Sequence, residues 1–255
     1  MSSSDAVLTH TSIINFIVAV VMVSIMAVAY ALTVTSEKTE IIPPLSTKPS
    51  ARERAQGIVR IGSTTVLRFA TERDGAKFID MLTRSHDHLL PWMPRPARGN
   101  EPTFGNRFAR MLRPDAESLG QVRLLICARD TDRMLGACSL GGVSDWPSLQ
   151  CHVGYWLAHD AVGHGFMRDA LSAMLDHAFE TRGLHRVSAN IIAHNRRSNS
   201  LVNALGFSKE GIARGLIEID GAWRDHQVWS MLASEWRDGS LDQTSAAPKS
   251  RKSAR

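Results

Sequence analysis

An amphipathic helix entered through two glycines constrains the fold of this chain more than any other sequence feature. The helix is predicted over Gly165 to Thr181, where apolar side chains recur at the spacing of one helical face. These are Met167, Ala170, Leu171, Met174, Leu175 and Ala178. Gly183 ends the helix. Strands are predicted on both sides, at Gln150–Leu157 and Arg186–Ile192. This order of strand, helix and strand favours a parallel strand pair.

The other segments complete a mixed α/β (α+β) domain. Further strands are predicted at Thr65–Ala70, Val122–Ala128, Arg133–Leu140, from Phe207, and at His226–Leu232. Further helices are predicted at Arg73–Leu82, Thr103–Leu112 and Asn195–Leu205. The early strands follow one another along the chain, which is typical of antiparallel pairing, whereas the later ones alternate with helices.

Composition excludes several classes of protein. With 255 residues, 44% hydrophobic and 22% charged, the chain has a globular balance rather than that of collagen, a rod or a disordered polypeptide. Three cysteines without a C-x-x-C pair argue against a disulfide framework or a cysteine-based zinc site. Residues 58–237 hold 22 Lys and Arg against 19 Asp and Glu, so the charge gives no case for a specific nucleic-acid partner.

The first part of the chain carries an uncharged run. Residues 13–34 contain no charged side chain and are long enough to cross a bilayer core of about 30 Å as a helix. Lys and Arg follow the run but do not precede it, which places the rest of the chain in the cytoplasm. A cleaved signal peptide, a buried core helix and a translation start downstream of this segment are the alternatives.

Five segments are predicted from these patterns. They are an N-terminal segment 1–12, a transmembrane helix 13–34, a Pro/Ser-rich linker 35–57, a globular domain 58–237 and a disordered basic tail 238–255.

The turn before the long helix has the character of an anion site. Gly163 and Gly165 allow a tight turn whose main-chain amides, together with the positive end of the helix dipole, suit a phosphate group. Arg168 stands where G-x-G-x-x-G has its third glycine, and no Gly-Lys-Ser/Thr follows, so neither common nucleotide motif is present. A plain glycine-rich turn is the alternative interpretation.

Several strings in a fixed order resemble one family. VGYWL, GHGFMRDAL, GLHRVSANI, HNRRSNSLVNALGFSKEG and GAWRDH follow one another from residue 153 to residue 226, and HLLPWMP stands upstream at 88–94. Together they resemble the GNAT superfamily of N-acetyltransferases, in its RimJ/RimL (ribosomal-protein-alanine acetyltransferase) branch. The resemblance covers about residues 62–236.

The resemblance implies a fold and a cofactor site. The family has a twisted, mostly antiparallel sheet with one parallel pair that splays apart, here 150–157 and 186–192, and acetyl-CoA lies in the splay. The pantetheine arm is expected along Tyr155, Trp156 and Leu157, and the diphosphate on the amides of Gly163, His164, Gly165, Phe166 and Met167. Asn195 is expected beside the pantetheine and Ser198 near the sulfur, although both suit capping of the next helix. Asp160 stands three residues before Gly163, where members of the family often have Gln or Arg. This departure puts only the side-chain contact with the diphosphate in doubt.

Acetyl transfer needs a base for the amine and a proton for the thiolate. His152 stands where some members have a glutamate, and an imidazole is chemically suited to accept the proton. Glu218 is a second candidate, although the alignment places it one residue off, which on a strand reverses the face. Ser198 is the candidate acid, and Tyr155 a more remote one. No metal is expected, because His86 and His88 lack a third ligand.

The predicted function is acetyl-CoA-dependent acetylation of a primary amine, foremost the N-terminal α-amine of a ribosomal protein. Acetylation of a small amine or antibiotic, and a non-catalytic membrane-tethered acyl-CoA-binding module, are the alternatives. The predicted partners are acetyl-CoA, the acceptor amine and the membrane through residues 13–34. The catalytic domain is expected in the cytoplasm, membrane-anchored, or free if translation starts downstream.

Overall fold

One twisted sheet organises the protein. The computed structural model describes residues 46–94, 104–112 and 121–236. Its strands are β1 Ile58–Ile61, β2 Thr65–Arg68, β3 Val122–Ala128, β4 Met134–Ser144, β5 Gln150–Leu157, β6 Arg186–Ile192, β7 Ser208–Ile219 and β8 Ala222–Leu232. Within the described ranges they form one eight-stranded sheet in the order β1-β2-β3-β4-β5-β6-β8-β7.

Helices cover this sheet. They are α1 Ala51–Ala55, α2 Gly75–Arg84, α3 His86–Leu89, α4 Phe104–Met111, α5 Phe166–Asp176 and α6 Arg196–Ala204. The mixed, mostly antiparallel α/β fold predicted from the sequence is therefore confirmed. The bounds of β3, β5 and β6 agree with the predictions to the residue.

The parallel strand pair separates soon after it begins. β5 and β6 pair only at Gln150 with Arg186, Cys151 with Val187 and His152 with Ser188, whereas every other neighbouring pair is antiparallel. Beyond His152 the two strands diverge, and the β6-facing edge of β5 has no strand partner. A cleft therefore opens at the carboxyl ends of both strands, which in mixed sheets is where ligands commonly bind.

Helix α5 is held against the sheet by apolar packing and by one carboxylate. Its residues from Asp169 to Asp176 are all buried. The Asp169 carboxylate accepts hydrogen bonds from the main-chain N–H groups of Ser63, Thr64 and Thr65 at 2.8–3.0 Å. The turn between β1 and β2 is therefore fixed to the first turn of α5, directly after the glycine-rich entrance.

The α-helix ends earlier than the sequence pattern predicts. Regular α-helix stops at Asp176, and residues His177–Thr181 form a π-helical turn. The buried guanidinium of Arg60 donates to the main-chain oxygen of Asp176 at 2.8 Å. A side chain that takes a helical carbonyl in this way disrupts the regular hydrogen-bond ladder, which accounts for the wider turn.

Part of the predicted linker packs on the domain. Ser50 caps α1 with a reciprocal bond to Glu53, and Thr47 forms a β-bridge with Ile61. The buried carboxylate of Asp176 accepts bonds from the main-chain N–H of Ser46 at 2.9 Å and from the indole N–H of Trp236 at 2.8 Å. Residues 46–57 are thus an ordered edge of the fold, since a buried carboxylate requires donors that composition does not reveal.

The hairpin of β7 and β8 is longer than predicted. It turns at Asp220 and Gly221, both with positive φ, which is the conformation that two-residue hairpins require. The predicted strand from Phe207 continues to Ile219, and the strand predicted at His226 begins already at Ala222. This extension carries Ile217, Ile219 and His226 to the cleft between β5 and β6.

The predicted transmembrane helix 13–34, the segment 1–12 and the tail 238–255 lie outside the described residues. Among residues 46–94, 104–112 and 121–236, no helix combines the length and apolar character needed to cross a membrane.

Candidate active site

A cavity of about 1310 Å³ occupies the cleft where β5 and β6 diverge. Its walls come from the second half of β5, the carboxyl half of β6 and the entrances of α5 and α6. Helices α2 and α4 and the β7–β8 hairpin complete the enclosure. One cavity therefore extends from the glycine-rich turn to the region between α4 and the hairpin.

The main-chain amides at the entrance of α5 are available to a ligand. Gly163 and Gly165 have φ of 89° and 80°, and Gly165 is the N-cap residue of the helix. In the part of the chain that the structure describes, no protein acceptor takes the N–H groups of residues 163–167. A Cβ placed on either glycine would meet no atom within 4 Å, so both lie against open space. Open amides and the positive end of the helix dipole are the features that suit a turn to an anion.

Asp160 does not oppose an anion there. Its carboxylate lies 3.5 Å from the guanidinium of Arg84 and 3.3 Å from that of Arg133, and it is absent from the cavity wall. The acidic residue that departs from the family pattern is thus engaged by two arginines.

A hydroxyl pair connects β5 to α6 inside the cavity. The Tyr155 hydroxyl lies 2.7 Å from the Ser198 hydroxyl, and burial raises the pKa of Tyr155 to about 12. Ser198 is fixed from the other side, because its main-chain N–H donates to the Asn195 side chain at 3.2 Å. Asn195 therefore caps α6, as its residue type indicates, and also lines the cavity.

Most of the predicted cofactor residues come together. Tyr155, Trp156 and Leu157 line the cavity with their strand edge unpaired, and Gly163, Gly165, Phe166 and Met167 line it at the α5 entrance. The exception is the His164 side chain, whose ring stacks on Phe166 with 5.8 Å between centroids and does not line the cavity.

The two predicted bases lie elsewhere. His152 occupies the last paired rung of β5 and packs over Gly141 and Gly142, and its ring is absent from the cavity wall. Partial burial lowers the pKa of His152. Glu218 is exposed, whereas Ile217 and Ile219 on the opposite face of β7 line the cavity. The alternation of side chains along a strand separates Glu218 from its two neighbours.

The cysteine on β5 has no exposed thiol. Cys151 is buried, and burial raises the pKa of its thiol to about 12, so the thiolate that an acetyl-enzyme step requires is not formed near neutral pH. Cys127 and Cys138 are likewise buried and not disulfide-bonded.

Sequence reasoning missed part of the cavity wall. His226 is 3% exposed and lines the cavity, and its Nδ1 donates a proton to the main-chain oxygen of Arg224 at 2.9 Å. Since a carbonyl can only accept, Nδ1 is the donor in this hydrogen bond. His194 and Trp92 also line the wall, with ring centroids 5.4 Å apart. All three residues stand in the strings that carry the family resemblance, and Trp92 is the one that the sequence places at an acceptor pocket; the folded hairpin and the α3–α4 region bring all three to the cleft.

The cavity wall is strongly cationic. Among the described residues it contains six arginines and three histidines and no aspartate or glutamate. The arginines are Arg107, Arg110, Arg123, Arg168, Arg196 and Arg197. No group of three His, Cys, Asp or Glu side chains suited to a metal ion occurs among the described residues.

Comparison with known proteins identifies the fold. Residues 64–208 match the model of the Acetyltransferase (GNAT) domain. The chain is 29% identical over 175 residues to the [Ribosomal protein uS5]-alanine N-acetyltransferase of Escherichia coli, which covers 68% of this chain and 90% of that protein.

Two solved structures share the architecture. Mycobacterium smegmatis RimJ in complex with CoA-disulfide has a TM-score of 0.62 and 28% identity, over 67% of this chain and 83% of that one. The ribosomal-protein-S5-alanine acetyltransferase from Vibrio fischeri has a TM-score of 0.60 and 25% identity, over 75% of this chain and 98% of that one.

The matched domain spans more than half of the chain and contains the splayed strands, the α5 entrance and the hydroxyl pair. The resemblance to the RimJ/RimL branch is thereby confirmed. The chain belongs to the GNAT family of acetyl-CoA-dependent N-acetyltransferases.

Proposed function

We propose that the acceptor is the N-terminal α-amine of a protein, and specifically of a ribosomal protein. The observation that supports this proposal is the charge of the cavity, whose described wall includes Arg107, Arg110, Arg196 and Arg197 and no aspartate or glutamate. The relatives named above support the same class of acceptor, since one is a uS5-alanine and another an S5-alanine acetyltransferase.

The cationic wall selects among amines. Only the neutral amine attacks a thioester, and a positive surrounding lowers the pKa of a bound amine because it disfavours the ammonium form. A free α-amine titrates near pH 8, whereas a lysine side chain titrates near 10.4, so the α-amine needs a far smaller shift to be neutral at pH 7. Polyamines carry several positive charges and are repelled by the same wall.

The cofactor is proposed to follow the open edge of β5. Main-chain groups of Tyr155, Trp156 and Leu157 would hold the pantetheine arm, and the amides of residues 163–167 would hold the diphosphate. Asn195 would contact the arm from α6. Bound acetyl-CoA supplies the thioester; the unpaired β5 edge and the open amides provide hydrogen-bond donors and acceptors that the protein itself leaves unused.

Ser198 is proposed to supply the proton that the departing thiolate requires. Its hydroxyl is held 2.7 Å from that of Tyr155, whose pKa is raised, so the pair stays protonated throughout the physiological range. Tyr155 would fix the Ser198 hydroxyl and replenish its proton.

The base is proposed to be His152, with Glu218 as the second candidate. Because neither side chain lines the cavity, each would have to act through a water relay rather than by direct contact. His152 has the more favourable chemistry, since its lowered pKa keeps the imidazole neutral at pH 7.

The acceptor class is tested by comparing three amines with the full chain and acetyl-CoA. The first is a peptide with a free N-terminal alanine, the second is the same peptide blocked at its N-terminus and carrying one internal lysine, and the third is spermine. We expect kcat/KM at pH 7 to be about a hundredfold higher for the free α-amine, reflecting the difference in intrinsic pKa. A preference for spermine would instead favour the small-amine acetyltransferase.

The anion site is tested by Gly163→Val. At φ of 89° a β-branched residue is strained, and its side chain would cover the neighbouring amides. We expect calorimetry to show CoA affinity weakened by about tenfold or more. The control is Gly183→Val, which imposes similar strain at φ of 65° away from the cavity. Equal CoA affinity in both variants would refute the diphosphate assignment.

The roles of Ser198 and His152 are separated by kinetics. Ser198→Ala is expected to lower kcat by about tenfold to a hundredfold while CoA affinity is retained, with Ser208→Ala, outside the cavity, as control.

His152→Ala is expected to lower kcat by about tenfold or more. Because the pKa of His152 is lowered, its imidazole stays neutral and able to accept a proton as the pH falls past 6.5. The kcat of the parent protein should therefore decrease only at a pH below 6.5. This decrease should be absent from the His152→Ala variant. Parent-like kcat would remove His152 from the mechanism, and Glu218→Ala would then be measured.

We further propose that residues 13–34 anchor the protein in a membrane with the catalytic domain in the cytoplasm, where CoA thioesters are available. The support is the uncharged run and the basic residues after it. We expect the full chain to remain in the membrane fraction after an alkaline carbonate wash, whereas a chain lacking residues 1–44, or one carrying Val20→Lys and Val21→Lys, is released. A full-length chain found in the supernatant, or a protein whose N-terminus lies after residue 34, would contradict the anchor.

A further inference from the structure

Two arginines on α4 face the cavity without a carboxylate partner. Arg107 and Arg110 both line it, and neither forms an ion pair with any described residue. Other half-buried arginines of the described chain do have a carboxylate partner, as Arg68 has Asp74 and Arg186 has Glu210. Like charges three residues apart on a helix destabilise it, so this arrangement has a local cost that nothing in the described structure offsets.

The surroundings of Arg107 keep its charge unneutralised. Its guanidinium contacts the Met93 sulfur at 3.0 Å and the Pro94 main-chain oxygen at 3.5 Å, and neither of these acceptors is charged. Burial and the nearby Arg110 both lower the pKa of Arg107. A half-buried guanidinium beside a second one is a favourable site for an anionic group.

Aromatic packing fixes the position of helix α4 relative to β5. Phe108 is buried against Phe78 of α2 with ring centroids 5.4 Å apart, and Phe78 contacts Trp156 of β5 at 5.8 Å. This row of aromatic rings connects α4 to the strand edge proposed to hold the pantetheine arm. The two arginines are therefore presented on a packed element, as specific recognition requires.

The α4 arginines lie beside the segment that follows Trp92, which we assign to the acceptor because the proposed diphosphate site is on other elements. Arg107 contacts Met93 and Pro94, the residues directly after Trp92, whose ring contacts His194 at the end of β6. The proposed diphosphate site is formed instead by the entrance of α5, and Arg196 and Arg197 stand at the start of α6. The cofactor phosphates thus have their own donors on other elements.

We propose that Arg107 and Arg110 bind carboxylate side chains of the acceptor protein, in the residues that follow its N-terminal amine. The preferred substrate is therefore a protein whose N-terminal segment is acidic. The inference rests on the proposed function. It adds that the residues after the acceptor amine must be acidic, which acetylation of an α-amine does not by itself require. The same pair of positive charges would steer an acidic segment toward the cavity and repel a basic one.

The test uses the full chain, acetyl-CoA and three decapeptides that share the first residue. Positions 2–6 carry Asp and Glu in the first peptide, the isosteric Asn and Gln in the second, and Lys in the third. We expect KM for the acidic peptide to be about tenfold or more below that for the amide peptide, a difference of the size that one or two charged hydrogen bonds provide. The preference should shrink as salt is added, because salt screens exposed charges.

Variants assign the preference to α4. Arg107→Gln with Arg110→Gln should bring the ratio of acidic to amide kcat/KM to about one, and Arg107→Glu with Arg110→Glu should make the lysine peptide the best substrate. Arg73→Gln, an exposed arginine outside the cavity, should keep the parent ratio. CoA affinity and melting temperature are measured for each variant, and both should match the parent.

The outcomes that overturn the inference are distinct. Equal KM for the acidic and amide peptides refutes it even if no variant folds. A double glutamine variant that retains the preference, or that loses CoA affinity instead, assigns the arginines to another role and refutes it too. Failure of the proposed function has a different signature, since no peptide would then be acetylated at its α-amine while CoA still bound.

Discussion

The separation of β5 from β6 after three paired residues is the constraint on which the site depends. A strand inside a sheet normally satisfies its main-chain groups on both edges, and unsatisfied groups in a buried cleft are costly. Here β4 satisfies one edge of β5, and the other edge opens onto the cavity. A ligand with its own amide groups could complete the hydrogen bonding that β6 leaves unmade, and the proposed cofactor would contact both this strand edge and the amides at the α5 entrance.

The charge of the cavity adds chemical selection to this geometry. Among the described lining residues, Arg107, Arg110, Arg196 and Arg197 have no ion-pair partner in the described chain, so their charges repel one another, and such local costs are typical of functional sites. Phosphate groups and an acidic acceptor would each relieve part of that repulsion. The same field would lower the pKa of a bound amine, which is the basis on which we propose α-amines rather than lysine side chains as acceptors.

Prediction from sequence succeeded for elements whose structure depends on residues that are neighbours along the chain. The bounds of β3, β5 and β6 follow from apolar runs. Gly163 and Gly165 indicate a tight turn because both have a positive φ, a conformation that favours glycine over other residues. It was less successful where a distant contact decides. The carboxylate of Asp176 draws Ser46 and Trp236 onto the domain, and Arg60 shortens the helix that periodicity extends to Thr181. His226 enters the cavity only because β7 and β8 form a longer hairpin than their composition indicates.

By itself, then, the sequence determined the family, the order of strands and helices, and the glycine-rich turn, since each of these depends on neighbouring residues whose periodicity and backbone preference are local. Only the tertiary structure decided which side chains share the cavity. On β7 a single position separates the exposed Glu218 from the cavity-lining Ile217 and Ile219, because successive side chains of a strand point to opposite faces. Similarly, the arginines of α4 reach the substrate cleft through the packing of Phe108, Phe78 and Trp156, residues that lie far apart along the chain and meet only when the sheet and helices have assembled.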